Sequence, residues 1–169
     1  MSSNWADAGA VSRKGTVQEA IRQRRPLRSA SQEALLALLL AAEAVRAPFA
    51  TRFAQEEGLT LQQYNVLRIL RGAGSAGLPT LEIGERMIER TPGVTRLVDR
   101  LIEKKLVQRE RSDEDRRQVL CSITARGKQL LARYDDEVDA LEEQAFGCLR
   151  PEELRSFIQL ANKVRNHQP

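Results

Sequence analysis

The chain has 169 residues, 41 % of them hydrophobic, which is enough to bury one sizeable core and excludes collagens, mucins and extended disordered chains. Its net charge is +4, and a single histidine (His167) with two distant cysteines (Cys121, Cys148) offers no cluster for a zinc site or a histidine-based triad. The longest unbroken apolar run, Ala34 to Ala42, is nine residues, against the roughly 18–20 that a spanning helix needs.

Residues 1–10 lack the basic-then-apolar order of a secretory signal, so a cytoplasmic chain without a membrane partner is expected. Neither a Gly-rich phosphate loop nor a nucleophile and base at matching positions is present. An enzyme, a metal and a cofactor are therefore not expected. Charge is distributed unevenly: residues 86–128 hold 12 basic and 7 acidic side chains, and residues 1–30 hold 6 and 2, while the segments 31–85 and 129–169 are net acidic. A basic block inside a foldable region suits phosphate contact, and a solvated charged face is the competing reading.

In chain order, residues 1–28 form a basic arm with no sustained apolar period beyond a short helix over Thr16 to Gln23. From Ser29 or Ser31 a helix begins, with Ser29 and Gln32 spaced as a capping box and leucines at 35, 36, 38, 39 and 40. A stretch apolar on nearly all sides calls for a second subunit as its cover. Pro48 removes one helical bond and should kink the helix before it continues through Phe49 and Phe53 towards Gly58.

Thr60, Gln63 and the staple pair Leu59 and Tyr64 place the next helix over Leu61 to about Arg71, ending in the Gly-rich loop 72–77. A shorter helix runs from Thr80 to about Ile88, with Leu81, Ile83, Gly84 and Met87 towards the core. From Thr91 to Lys105, Val94, Leu97, Val98, Leu101 and Ile102 follow the helical period, with Thr91 as N-cap and Pro92 at the first position. Val107–Arg111 and Val119–Ile123 alternate as two strands joined by a polar tip. Thr124 caps a long helix to about Leu149, and Pro151 opens the last one. Cys121 within a strand and Cys148 at a helix end read as buried structural thiols.

Helix, helix, periodic helix with a basic outer face, then a basic-tipped hairpin is the order of a winged helix-turn-helix. The expected fold is thus mainly α with a small β-hairpin wing. Residues 59–124 form the winged DNA-binding part, flanked by the helical segments 29–58 and 125–169. Thr91, Pro92, Thr95, Arg96 and Arg100 lie on the expected reading helix, where Arg96 suits guanine or phosphate. Arg109, Arg111, Asp115, Arg116 and Arg117 lie on the wing. An arginine suits the negative potential of a narrow minor groove, and a carboxylate two residues earlier can hold its guanidinium. An exposed helix face and an ordinary polar turn are the competing readings.

Thr95-Arg-Leu-Val-Asp-Arg-Leu101, Leu106-Val107, Asp115-Arg-Arg117, Ile123-Thr124 and Gly127 together resemble the signature of the MarR (multiple-antibiotic-resistance regulator) family over roughly residues 31–165. The resemblance implies a homodimeric DNA-binding regulator, usually a repressor. Its first and last two helices would pair the subunits, and each wing would read half of a pseudo-palindromic operator. By similarity, Arg117 is the wing residue that enters the minor groove, with Asp115 orienting it. The family also implies release by a small aromatic or phenolic acid. Lys105 stands where a Gly commonly ends the reading helix, and the turn Met87-Ile-Glu-Arg90 lacks the usual Gly and small polar cap. The oxidisable cysteine that some members carry near the first helix has no counterpart in this chain. A winged-helix module that meets an acidic protein partner is the alternative from another class.

Overall fold

The computed structural model describes residues 15–89, 92–111, 115 and 117–167. They form seven helices, α1 (Val17–Ala20), α2 (Ala30–Glu57), α3 (Leu61–Ala73), α4 (Thr80–Arg86), α5 (Val94–Glu103), α6 (Ala125–Phe146) and α7 (Pro151–Asn166), and three strands, β1 (Leu78–Pro79), β2 (Val107–Arg111) and β3 (Val119–Ile123). The chain divides into two compact units, Met1–Ala47 and Pro48–Pro169.

In the first unit, α1 is shorter than the expected Thr16 to Gln23. The Thr16 hydroxyl accepts the Glu19 amide and the Glu19 carboxylate accepts the Thr16 amide, which closes a full capping box. The helix stops because Arg22 takes a left-handed φ of 53°. At the start of α2, Ser29 Oγ accepts the Gln32 amide at 3.2 Å, but Gln32 Oε1 accepts the Arg28 amide at 2.7 Å. The side-chain return therefore reaches one residue further back than the expected box.

Leu35, Leu38 and Leu39 are 56 %, 45 % and 57 % exposed, so this apolar stretch is left uncovered. Counting an unbroken apolar run misjudged this helix. Over Ala30–Gln55 it is long and apolar enough, by length and composition, to cross a membrane, and none of its most apolar window is buried. Single charges such as Glu43 and Arg46 interrupt the run without making the helix polar. α2 continues through Pro48 as one helix into the second unit.

There, Phe53 is fully buried, stacks on Tyr64 with ring centroids 4.1 Å apart and meets the Tyr134 ring edge-on at 5.1 Å. Burial raises the Tyr64 hydroxyl above its ordinary pKa, against the pull of nearby Arg71 and Arg68. α3 begins as its sequence foretells: Thr60 Oγ1 accepts the Gln63 amide, Gln63 Oε1 accepts the Thr60 amide, and Leu59 and Tyr64 are both buried. Its inward side (Val66, Leu67, Leu70) joins Ile83, Val98, Leu101, Leu106 and Leu131 in one core. Val66, Leu67 and Leu70 each remove their whole side chain from water, worth about 1.5–3 kcal/mol apiece.

The sheet order is β1-β3-β2, antiparallel throughout, with Leu78 opposite Cys121 and Val107 opposite Ile123. β1 has two residues, too few to show a period. Gly77 makes the strand possible: its φ is +65°, and a Cβ there would lie 2.8 Å from the Cys121 carbonyl oxygen. Ile83 of α4 and Met87 just after it face the core, but Leu81 is 78 % exposed, against expectation. Two residues subtend about 200° of helix, so Leu81 and Ile83 cannot share a face.

α5 starts later than expected, at Val94. Gly93 takes the N-cap position without a side-chain bond, and Pro92 lies in the turn before the helix. Thr91 lies outside the described residues. The helix ends at Lys105 with φ 60°. The Lys105 amide donates to Ile102 O at 2.8 Å and the Leu106 amide to Leu101 O at 2.9 Å, the paired bonds of a Schellman ending.

Thr124 joins the wing to α6. Its hydroxyl donates to Lys105 O at 2.9 Å and accepts the Gly127 amide at 3.1 Å. Its own amide donates to Leu106 O at 3.0 Å. α6 buries Leu130, Leu131 and Tyr134. It is also held by two ion pairs, Arg71 to both Asp135 oxygens at 2.9 Å and Arg52 to Glu137. α7 exposes Phe157, Ile158, Leu160 and Val164. Cys121 is buried as expected. Cys148 is exposed, because α6 ends at Phe146 and leaves it in the turn before α7.

Candidate nucleic-acid interface

Helix α5 separates two kinds of side chain by its period. Leu97, Val98 and Leu101 are buried against α3 and the sheet, and this turns Thr95, Arg96 and Arg100 outward, all exposed. Among the described residues, neither Arg96 nor Arg100 has a salt-bridge partner. Both guanidiniums keep their donors available to an incoming anion or base edge. Pro92 is exposed just ahead of the helix. α4 packs closely on α5: a Cβ on Gly84 would lie 3.4 Å from Val94 Cγ2. Between these helices an open cleft of about 670 Å³ is lined by Leu81, Glu85, Pro92 and Thr95 among others.

On the wing, Asp115 acts on the backbone of Arg117. Asp115 Oδ1 accepts the Arg117 amide at 3.0 Å, and the Asp115 carbonyl accepts the Gln118 amide at 2.8 Å. These two bonds form a tight turn that presents Arg117 exposed to solvent. Sequence reasoning expected the carboxylate to hold the guanidinium; the bond seen here holds the main chain. Arg111 is exposed at the end of β2, opposite Val119. Arg116 lies outside the described residues.

Arg109 is placed differently from the other wing arginines. Its Nη1 donates to Asp99 Oδ1 of α5 at 2.7 Å, and its side chain is 32 % exposed. Partial burial works against its charge, but the neighbouring Cys121 and the bond to Asp99 outweigh burial and hold the guanidinium above its ordinary pKa. Arg109 faces Cys121 across the β2 and β3 pair, and Cys121 Sγ lies 3.6 Å from Thr80 Oγ1 at the start of α4. A polar chain therefore links α4, both wing strands and α5. Sequence reasoning missed it: Asp99 is an ordinary exposed helix position, and only the register of β2 brings Arg109 to it.

A three-helix unit with a reading helix and a two-stranded wing is a winged helix-turn-helix, the fold of a DNA-binding regulator. The family model described as "MarR family" matches residues 59–119. The transcriptional regulator HosA of Escherichia coli O157:H7 is 30 % identical over 108 residues, covering 64 % of this chain and 78 % of HosA. A MarR transcription factor of Planctomyces limnophilus is 37 % identical, with a TM-score of 0.61 over 81 % of this chain and 98 % of that one. BpsR of Bordetella bronchiseptica, whose DNA binding is regulated by 6-hydroxynicotinic acid, shares the fold at 23 % identity, with a TM-score of 0.73 over 85 % of this chain and all of that one (100 %). The chain belongs to the MarR family of transcriptional regulators.

Proposed function

We propose that the chain works as a homodimeric, cytoplasmic repressor that reads one half of a pseudo-palindromic operator with each subunit and leaves it when a small aromatic acid binds. The observation that carries this reading is the outward set Thr95, Arg96 and Arg100 on a helix whose opposite face is locked in the core. In it, Arg96 takes a guanine edge or a phosphate near the start of α5, Thr95 supports that contact, and Arg100 serves the backbone. Pro92 and Thr91 lie where the chain enters the groove. Arg117 enters the minor groove from the turn that Asp115 fixes, with Arg111 and Arg116 on neighbouring phosphates. Arg109 serves through its bond to Asp99, which keeps the wing against α5.

Residues 29–58 and 125–169 supply the dimer contact, and residues 59–124 the reading unit. The support is the uncovered apolar surface on α2 and α7, which in a family of DNA-binding regulators a second copy covers. Placing a charge in each apolar face, by Leu39→Arg with Leu160→Arg, is expected to yield monomer by light scattering. The effector reading draws on BpsR, whose DNA binding responds to an aromatic acid. A ligand of this kind acts only if its affinity differs between two dimer geometries.

Selection of fragments bound from the organism's own genome tests the whole. One enriched pseudo-palindrome is expected, its binding falling steeply with salt and lost in the Arg96→Ala, Arg117→Ala double variant with the dimer intact. Enrichment of nothing above background would replace this reading with a module for an acidic protein partner. Release is then screened with small aromatic acids.

A further inference from the structure

The segment between α1 and α2 carries charge that the reading unit does not use. Residues 15–28 contain four arginines (22, 24, 25 and 28) and one acid, Glu19. Glu19 is occupied elsewhere. Its Oε2 accepts the Gly15 amide at 2.9 Å and the Thr16 amide at 3.2 Å, and these bonds hold its carboxyl below the ordinary pKa. It neutralises the start of α1 and not the arginines. All four guanidiniums belong to exposed residues, and among the described residues none is in a salt bridge.

The backbone that carries them is tied at several points. Gln18 Nε2 and Gln23 Nε2 both donate to Arg25 O, at 3.0 and 3.1 Å. The Gln23 amide donates to Gln18 O at 2.9 Å, and the Arg28 amide is held by Gln32. Pro26 fixes its own φ, and Arg22 holds the left-handed conformation. Such a turn loses less entropy on binding than a free arginine-rich tail would.

We propose that Arg22, Arg24, Arg25 and Arg28 form a second contact surface, directed at the sugar-phosphate backbone of duplex DNA and indifferent to its sequence. The arginine fork matches phosphate oxygens bidentately. The four arginines have as apolar neighbours in sequence only Ile21, Pro26 and Leu27, too little for the apolar centre of a protein interface. Once α5 and the wing bring the chain onto DNA, any contact by these arginines is intramolecular. The proposal therefore rests on the DNA-reading function above.

The test uses the full chain with all four arginines changed to Gln, and a second variant with all four changed to Lys. Binding is measured on the fragment enriched from the genome and on a random duplex of equal length, across a salt series. A dimer presents eight such arginines; if half reach phosphates, the slope of log K against log salt becomes shallower by about 4 in the Gln variant. Affinity should fall at least about tenfold on both duplexes, leaving the specificity ratio unchanged, and the Lys variant should recover most of the slope. Circular dichroism and light scattering check that fold and dimer persist.

An unchanged slope in the Gln variant overturns the proposal, as does a loss confined to the enriched fragment, which would mean base reading. Loss of wild-type binding to phosphatidylserine vesicles, with DNA binding untouched, assigns the surface to lipid and also overturns it. If no fragment is enriched, the regulator reading fails separately, while the random duplex still reports on the arginines.

Discussion

Asp99 on the reading helix and Arg109 on the first wing strand meet at 2.7 Å, so that one charge-assisted bond spans the two parts that would approach DNA. The carboxylate withholds a guanidinium from solvent and places a negative charge beside Arg96 and Arg100. An exposed pair of this kind contributes only about 0.2–1 kcal/mol to folding. Its larger effect is on the field the surface presents. Asp99→Asn should shift the unfolding free energy by less than about 1 kcal/mol. On random duplex DNA, where net charge counts for more than the placing of the wing, it should also strengthen binding roughly threefold to tenfold at low salt, as a steeper salt slope. A stability loss above about 2 kcal/mol with unchanged DNA affinity would make the pair purely structural.

Gly127 should tolerate no side chain. Its ideal Cβ would sit 2.4 Å from Leu106 O and 2.7 Å from Ile123 Cγ1, one a backbone atom and the other held in the strand. Gly127→Ala is expected to cost at least about 2 kcal/mol in urea unfolding. A cost under about 0.5 kcal/mol would show that the start of α6 can slide.

Lys105 holds a left-handed backbone that L side chains resist by about 1–2 kcal/mol. Lys105→Gly should therefore raise stability by about 0.5–1 kcal/mol, the glycine's extra freedom in the unfolded chain cancelling part of the gain. The denaturant midpoint reads this directly, with an unaltered slope.

The Arg52 guanidinium, which also lies 5.9 Å from the Tyr134 ring centroid, donates to Glu137 and holds that carboxyl below its ordinary 4.5. A depressed carboxyl stabilises the fold above the unfolded value and loses that contribution as pH falls through the folded one. Thermal midpoints of the native chain and Glu137→Gln should differ at pH 7 and converge below about pH 4.5. A gap that stays constant down to pH 3 would assign the effect to packing.

Local signals were legible where one short stretch carries the whole cause. Thr60 with Gln63 marks the start of α3, Thr124 with Gly127 marks the start of α6, and the alternation in Val107–Arg111 and Val119–Ile123 gives both wing strands to the residue. The family resemblance, with a glycine common at this place, pointed to a helix ending at Lys105, and its φ of 60° is left-handed. What the sequence hid depends on contacts between distant segments. β1 exists only because Leu78 finds Cys121, and Arg109 meets Asp99 only through strand register. Local rules misjudged the start of α5, since Gly93 and not Thr91 holds the N-cap position. The exposure of Cys148 likewise follows from where α6 ends, and that of Leu81 from its place two residues before the buried Ile83 on one helix.

The bonds of Thr124 to Lys105, Leu106 and Gly127 close the root of the hairpin as a buckle closes a strap. Among the described residues of the hairpin, Val107, Cys121 and Ile123 near that root enter the core. Lengthening a loop costs little once its ends are fixed. Insertions or exchanges at the tip should thus leave folding untouched while altering what the tip touches. DNA preference can in this way diverge between otherwise equally stable copies of one scaffold.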